Sequence, residues 1–304
     1  MSIPSISFED GERVLDWLAL TDALAKGHEL PKAEVADSFL YRGKDTLLTR
    51  SAWIDGLGIA IKAATIFPGN PDAGKSTVNG MMSLLSDTDG TLEAMIDFHL
   101  VTKWKTAGDS LLAARRLARP DSRTILIIGA GAVARSLREA YGAAFPDARF
   151  TIWNRTTSKA EALADGFPDT EAIEDLQSAV EAADVVACAT SGTAPVLQGE
   201  WLRPGQHVDL IGAYRPDMRE TDDTALQRAR IFVDSRDTTI GHIGEIELPL
   251  QSGAITPDDI IADYYQLADF QRAPEDITLF KNGGGAHLDL MTARHILAAW
   301  KDAQ

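Results

Sequence analysis

The chain has 304 residues, 45% of them hydrophobic, 24% charged and 7% aromatic, with 24 glycines and 13 prolines, a balance that excludes disordered, collagen-like and disulfide-scaffold proteins and suits about two globular domains. Lysine and arginine number 29 against 45 aspartates and glutamates, a formal charge of −16, so nucleic acid and anionic lipid are disfavoured as partners. The single cysteine, Cys188, leaves no intramolecular disulfide and no multi-cysteine metal site.

In chain order, Val14 to Leu24 carries apolar residues at helical spacing. Four short strands follow, over 38–42, 46–50, 57–67 and 77–86, separated by the turn sequences Arg42-Gly43-Lys44-Asp45, Pro68-Gly69-Asn70-Pro71 and Asp87-Thr88-Asp89-Gly90. Short turns between successive strands predict an antiparallel or mixed sheet. The segment from Glu93 to Ala118 reads as a strand passing into a helix, whose Arg115, Arg116 and Arg119 form a solvated face and no basic patch. From Arg123 the pattern becomes strand–helix alternation. Thr124–Ile128 is fully apolar after its first residue, as expected of a parallel strand buried on both faces. A helix over 134–144, a strand over 149–153, helices over 158–165 and 174–182, and strands over 184–190, 208–211 and 231–234 complete a βαβ series, hence a right-handed, doubly wound parallel sheet. A final amphipathic helix over 291–300 follows the Gly283-Gly284-Gly285 break. No run approaches the ~20 apolar residues of a membrane span, the N-terminus has no leader-like pattern, and a cytoplasmic setting is expected. The histidines show no metal-binding spacing, so no metal is expected.

Gly129-Ala130-Gly131-Ala132-Val133-Ala134 lies directly between the apolar strand and the next helix. In that context G-x-G-x-x-A is a dinucleotide site: the first glycine makes the tight turn, the second admits the pyrophosphate, and the helix N-terminus supplies N–H donors. The end of the second strand, about 25 residues on, chooses the cofactor. It reads Asn154-Arg155-Thr156, with no carboxylate to hold a ribose 2′-hydroxyl and an arginine suited to a 2′-phosphate. NADP(H) is therefore expected over NAD(H).

Several ordered segments resemble the ornithine cyclodeaminase/μ-crystallin family: Gly58–Lys62 with Phe67–Pro71, Thr102–Ala107 running into Leu117–Pro120, the Gly129 loop, Trp201–Gly205, Ile211–Ala213, and Phe280–Ala286. The resemblance implies a Rossmann domain, about 121–283, inserted in a second α+β domain built from 1–120 and 284–304 that binds substrate and forms a homodimer. It implies a nicotinamide cofactor acting on an amino acid or its imine. Arg42 and Lys62 match the family's substrate-carboxylate residues, a sound pairing of guanidinium fork and ammonium. Lys62 lies among Ile59, Ile61, Ala63 and Ile66, so its strand reads as buried, which would depress its pKa and let it donate a proton. The resemblance adds Thr77, Thr190, Ile211, Gly212, Ala213, Asn282 and Gly283 to the expected cofactor contacts.

Departures from the family pattern narrow the chemistry. Lys105 stands where the family has an arginine, keeping the charge for phosphate or carboxylate and losing the fork. Tyr214 replaces the cyclodeaminases' aspartate, Met218 a substrate-binding lysine, and Asn282 a serine. A tyrosine is a poor base at neutral pH and methionine cannot titrate. Reducing an already cyclic imine needs only a carboxylate clamp, a hydride and a proton from Lys62 or Tyr214. The expectation is an NADPH-dependent reductase giving L-proline or L-pipecolate. Ornithine cyclodeaminase, an alanine-type dehydrogenase, and a non-catalytic NADP(H)-binding dimer stand as alternatives.

Overall fold

A computed structural model describes residues 3–304, and the chain divides into a terminal unit, 1–105 with 284–304, and a central unit, 106–283. The first junction lies nearer the N-terminus than the expected residue 120. The reason is that one unbroken helix, Phe98–Leu117, contains it, and the helix's second half belongs to the central core through Leu111, Leu112 and Leu117.

The terminal unit is a six-stranded sheet in the order β1-β6-β5-β4-β3-β2, made of β1 (Ser5–Ile6), β2 (Glu34–Arg42), β3 (Asp45–Ile54), β4 (Gly58–Ile66), β5 (Val78–Leu85) and β6 (Leu92–Asp97). Strands β2 to β6 pair antiparallel, and β1 adds in parallel to β6. The β2–β3 turn is only Gly43-Lys44, and Gly43 takes φ +61° there, a conformation that costs glycine little. That turn and the one at Gly56 fix the register, so Asp37, Arg50, Lys62 and Met82 stand side by side on one face. Period-2 alternation puts Ala52, Ile54, Ala60, Ala64, Met82 and Leu84 on that same buried face. Against it packs the C-terminal helix Ala286–Asp302, on which the helix Trp17–Gly27, started by Asp16 capping the Ala19 amide, packs in turn. The C-terminal helix is longer than the expected 291–300, beginning immediately after Gly285. The sheet's other face leaves Leu40, Trp53, Ile61 and Met81 exposed.

The central unit is an all-parallel eight-stranded sheet. Its members are β7 (Thr124–Ile128), β8 (Arg149–Trp153), β9 (Thr170–Ala172), β10 (Val185–Cys188), β11 (His207–Leu210), β12 (Arg230–Val233), β13 (Ile260–Ala262) and β14 (Thr278–Lys281), in the order β13-β12-β14-β11-β10-β7-β8-β9. The helices Ala132–Ala144, Thr157–Ala164 and Leu176–Ala182 fall where the sequence placed them, within two residues at each end. Strands β9, β13 and β14 were not anticipated. Two are short edge strands, but β14 lies between β11 and β12 and is wholly buried. Its sequence, Thr-Leu-Phe-Lys, hides it, because a lysine seldom enters a core. Here Lys281 donates from Nζ to the carbonyls of Leu210, at 2.9 Å, and Asn282, at 2.8 Å. Phe280 stacks beside Tyr264, with ring centroids 5.3 Å apart. Cys188 is buried in β10. No helix among the described residues is long and apolar enough to cross a membrane.

Phe280→Ala is expected to cost about 3–5 kcal/mol, the range for emptying a core phenylalanine site. A urea melt would measure this, and a loss below 1 kcal/mol would contradict the central place given to β14.

Candidate functional site

Order in the central sheet reverses between β7 and β10, the position at which doubly wound sheets take nucleotides. At the strand ends there, residues 129–131, 153–155, 189–192, 194 and 196 line a cleft of about 380 Å³. Gly129 has φ +121°, and a Cβ on it would lie 2.6 Å from the Ala189 carbonyl oxygen, so only glycine fits. Gly131 caps the helix Ala132–Ala144, and a Cβ there would meet nothing within 4 Å. The space above the helix N-terminus is therefore open, with the first-turn amides of Ala132 and Val133 beside it, which fits a pyrophosphate. Asn154 donates through Nδ2 to the Thr156 carbonyl at 3.0 Å, shaping the turn after β8. Arg155 is exposed, and no carboxylate pairs with it among the described residues.

Thr190 follows β10, and Ile211, Gly212 and Ala213 follow the adjacent strand β11. Asn282 bonds the Thr106 carbonyl and Ser110 Oγ, each at 2.9 Å, and so braces the helix 98–117. Gly283 is held close to Asp234, whose Oδ1 would lie 2.8 Å from an added Cβ. Thr77 belongs to the terminal unit, half-buried just ahead of β5.

The terminal unit gathers charge around Lys62. Its Nζ donates to Asp289 Oδ1 at 2.9 Å, and both side chains are almost wholly buried. The ammonium also lies 4.8 Å from the centre of the Phe98 ring. Burial pushes the Lys62 pKa down, Asp289 opposes this, and the charges of Lys105 and Arg50 add to the fall. Asp289 in turn is held below the usual carboxylate range: burial works against that, and Lys62, Lys105 and Arg50 outweigh it. Asp289 Oδ2 accepts no hydrogen bond among the described residues. Arg50 grips Asp37 with its fork, at 2.8 to 3.2 Å, and donates to the Gly284 carbonyl at 3.0 Å. Lys105 donates to that same carbonyl at 3.2 Å. His287 is kept neutral by burial and by the neighbouring His28 and Lys105.

Arg42 is not part of this group. It sits at the tip of the β2–β3 hairpin with a side chain 79% exposed, paired to Asp45 at 2.9 Å. An odd step separates it from Asp37, so it projects from the other face of β2. Tyr214 is exposed on the loop after β11, beside the Arg215 guanidinium. Met218 is buried with Ala213 and Ile243.

Among known protein families, residues 52–304 match the ornithine cyclodeaminase/mu-crystallin family. The chain belongs to that family. It is 49% identical over 300 residues to the Delta(1)-pyrroline-2-carboxylate reductase of Paracoccus denitrificans, covering 96% of this chain and 95% of the relative. It is 32% identical over 249 residues to the ketimine reductase mu-crystallin of Mus musculus, covering 81% and 77%. Its fold is similar to that of an archaeal alanine dehydrogenase dimer with bound NAD, at TM-score 0.90 and 25% identity over 100% of this chain and 97% of the other. It is equally similar, at TM-score 0.90 and 24% identity over 99% and 98%, to Thermococcus litoralis Delta(1)-pyrroline-2-carboxylate reductase in complex with NADH and L-proline.

Within this ornithine cyclodeaminase/mu-crystallin chain, sequence reasoning missed Arg50 and Asp289. Arg50 was recoverable: counting equal steps back from Gly43-Lys44 and from Gly56 sets it opposite both Asp37 and Lys62. Asp289 lies 227 residues from Lys62, and no local pattern announces it.

Removing Asp289 leaves a buried ammonium without its counter-charge. Asp289→Asn is expected to lose about 3–5 kcal/mol at pH 7. The deficit should shrink by pH 9, because an unpaired buried lysine titrates lower when folded than when unfolded, and stability then rises with pH. Urea melts at both pH values check this; a deficit that is absent or grows with pH would contradict it.

Proposed function

We propose that this chain is an NADPH-dependent reductase that converts a cyclic imino acid, Δ1-pyrroline-2-carboxylate or Δ1-piperideine-2-carboxylate, into L-proline or L-pipecolate. The observation that carries this reading is the charge group at Lys62. Arg50, Lys62 and Lys105 bring three positive charges against two carboxylates, Asp37 and Asp289, while His287 stays neutral. The excess of one positive charge in a mostly buried setting calls for a monoanion such as a substrate carboxylate. The 49% identity to a Delta(1)-pyrroline-2-carboxylate reductase supports the same class of substrate.

When bound, the nicotinamide supplies hydride to the imine carbon. Lys62, its pKa lowered by burial, is assigned as the donor that leaves the ring nitrogen protonated, and Asp289 holds its Nζ in place. The Tyr214 hydroxyl is the second candidate donor. With tyrosine at 214 and a buried methionine at 218, neither position supplies the carboxylate base or second amine of ornithine deamination, and the intervening Asp217 is paired with Arg215. Asn154, Arg155 and Thr156 favour NADP(H), since no acidic side chain stands at that strand end to repel a 2′-phosphate; NAD(H) is the second cofactor. The setting is assigned as cytoplasmic.

We assign a second copy of this chain to the outer face of the terminal sheet, where Leu40, Trp53, Ile61 and Met81 are exposed, with no covering layer among the described residues. The archaeal alanine dehydrogenase of similar fold is a dimer. Light scattering should give a dimer that Ile61→Glu converts to monomer; a monomeric wild type would overturn the assignment.

The activity is read as NADPH consumption at 340 nm with Δ1-pyrroline-2-carboxylate, NADH run in parallel. Lys62→Met should lower kcat by ~10²–10⁴-fold, the usual range for losing a proton donor. Arg50→Met should raise KM by roughly tenfold or more, whereas Arg42→Met should change it less than about twofold, as for an exposed pair. Full turnover in Lys62→Met, or an effect at Arg42 larger than at Arg50, would refute these roles. NADPH binding without turnover of imine, ornithine or keto acid would instead indicate a binding protein.

A further inference from the structure

Glu220 is fully buried in the central unit, outside every motif discussed above, and its carboxylate joins the loop after β10, which lines the cleft, to the neighbouring loop after β11. Oε1 accepts from the Thr190 amide at 2.7 Å and from the Thr190 hydroxyl at 2.9 Å. Oε2 accepts from the Gly212 amide at 2.6 Å and, more distantly, from the Ala213 amide at 3.4 Å. Its backbone carbonyl accepts from the amides of Val196 and Leu197, at 2.9 and 3.0 Å, fixing the cleft wall between them. Glu245 holds Glu220 from behind, accepting from the Glu220 amide at 2.6 Å. The two loops touch so closely that a Cβ on Gly212 would lie 1.7 Å from the Thr190 carbonyl oxygen.

We propose that Glu220 is a positioning residue for the dinucleotide, its ionised carboxylate locking the loops after β10 and β11 together so that cofactor affinity rises with pH.

Oε2 faces only N–H donors, so a proton there opposes the Gly212 amide, and a proton on Oε1 finds an acceptor only if the Thr190 hydroxyl reverses; either way the bonds that join the loops weaken. The groups facing the carboxylate are Lys281 from β14, Glu245 from the helix Gly244–Ser252, and Cys188 from β10. Burial raises the Glu220 pKa to about 7, with Glu245 adding to the rise and Lys281 opposing it, which puts the transition in an accessible range. Asp209, on β11 of the same sheet, is also raised to about 7 by burial. It bonds Tyr141 at 2.8 Å and faces Ser110, and among the described residues it bonds none that line the cleft, so it serves as the control. The proposal rests on the reading of the cleft as a nicotinamide dinucleotide site.

Calorimetric titration with NADH, which has no 2′-phosphate to titrate, between pH 6 and 8 tests it. The wild type should bind about fivefold or more tightly at pH 8 than at pH 6, Asp209→Asn should keep that slope, and Glu220→Gln should bind about tenfold more weakly at pH 8 with a flat profile. NADH binding with no pH dependence in the wild type, or an unchanged slope in Glu220→Gln, would overturn the proposal alone. Should Glu220→Gln fail to fold, a slope retained in Asp209→Asn supports the proposal and a slope lost there overturns it. Failure of wild type to bind NADH or NADPH at any pH would remove the dinucleotide reading and this proposal with it.

Discussion

A lysine ammonium inside a sheet must have a counter-charge, and in this chain Asp289 supplies it across 227 residues of sequence. That requirement ties β4 to the C-terminal helix and makes one unit from both ends of the chain. Once the pair is buried, its surroundings follow. Arg50 enters by strand register and is held by Asp37, Lys105 turns to the Gly284 carbonyl, and His287 gives up its charge through burial, with the neighbouring His28 and Lys105 adding to the effect. What results is a preformed positive site attached to a rigid sheet and helix, which is the form a carboxylate clamp needs in order to orient a small ring.

The central unit handles its buried charges by the same rule. Lys281 spends its protons on two carbonyls, and Glu220 and Glu245 accept backbone and hydroxyl donors. These contacts make the loops at the carboxyl ends of the parallel strands parts of a fixed frame. The cleft itself comes from topology: strand order reverses beside β7, and Gly129 and Gly131 leave an opening that fits a pyrophosphate.

Much of this could be read from the chain because the local signals were strong. The apolar run 124–128, the glycine loop and the first helix of the parallel unit are adjacent in sequence, and each limits the others. The hairpins of the terminal sheet were equally plain from their turns. Long-range pairing was harder to read. Asp289 looks like an ordinary helical acid until Lys62 is placed opposite it. Lys281 disguised a central strand, and the helix 98–117 runs through a domain junction that apolar periodicity and family resemblance placed near its end. Arg42 drew attention through family likeness, whereas the face on which a strand residue lies depends on register. Register follows from turn geometry that was visible at Gly43 and Gly56, and applying it would have put Arg50 beside Lys62.

The central claim is that Lys62 is a buried cation awaiting a carboxylate. Its most direct test is the NMR titration of the Lys62 side chain, assigned by loss of its signal in Lys62→Arg, with and without pyrrole-2-carboxylate as a stable ring analogue. The account predicts that Lys62 in the free protein titrates below the surface lysines and that its pKa rises when the analogue binds. A Lys62 that titrates with the surface lysines, or one unmoved by a bound analogue, would contradict it.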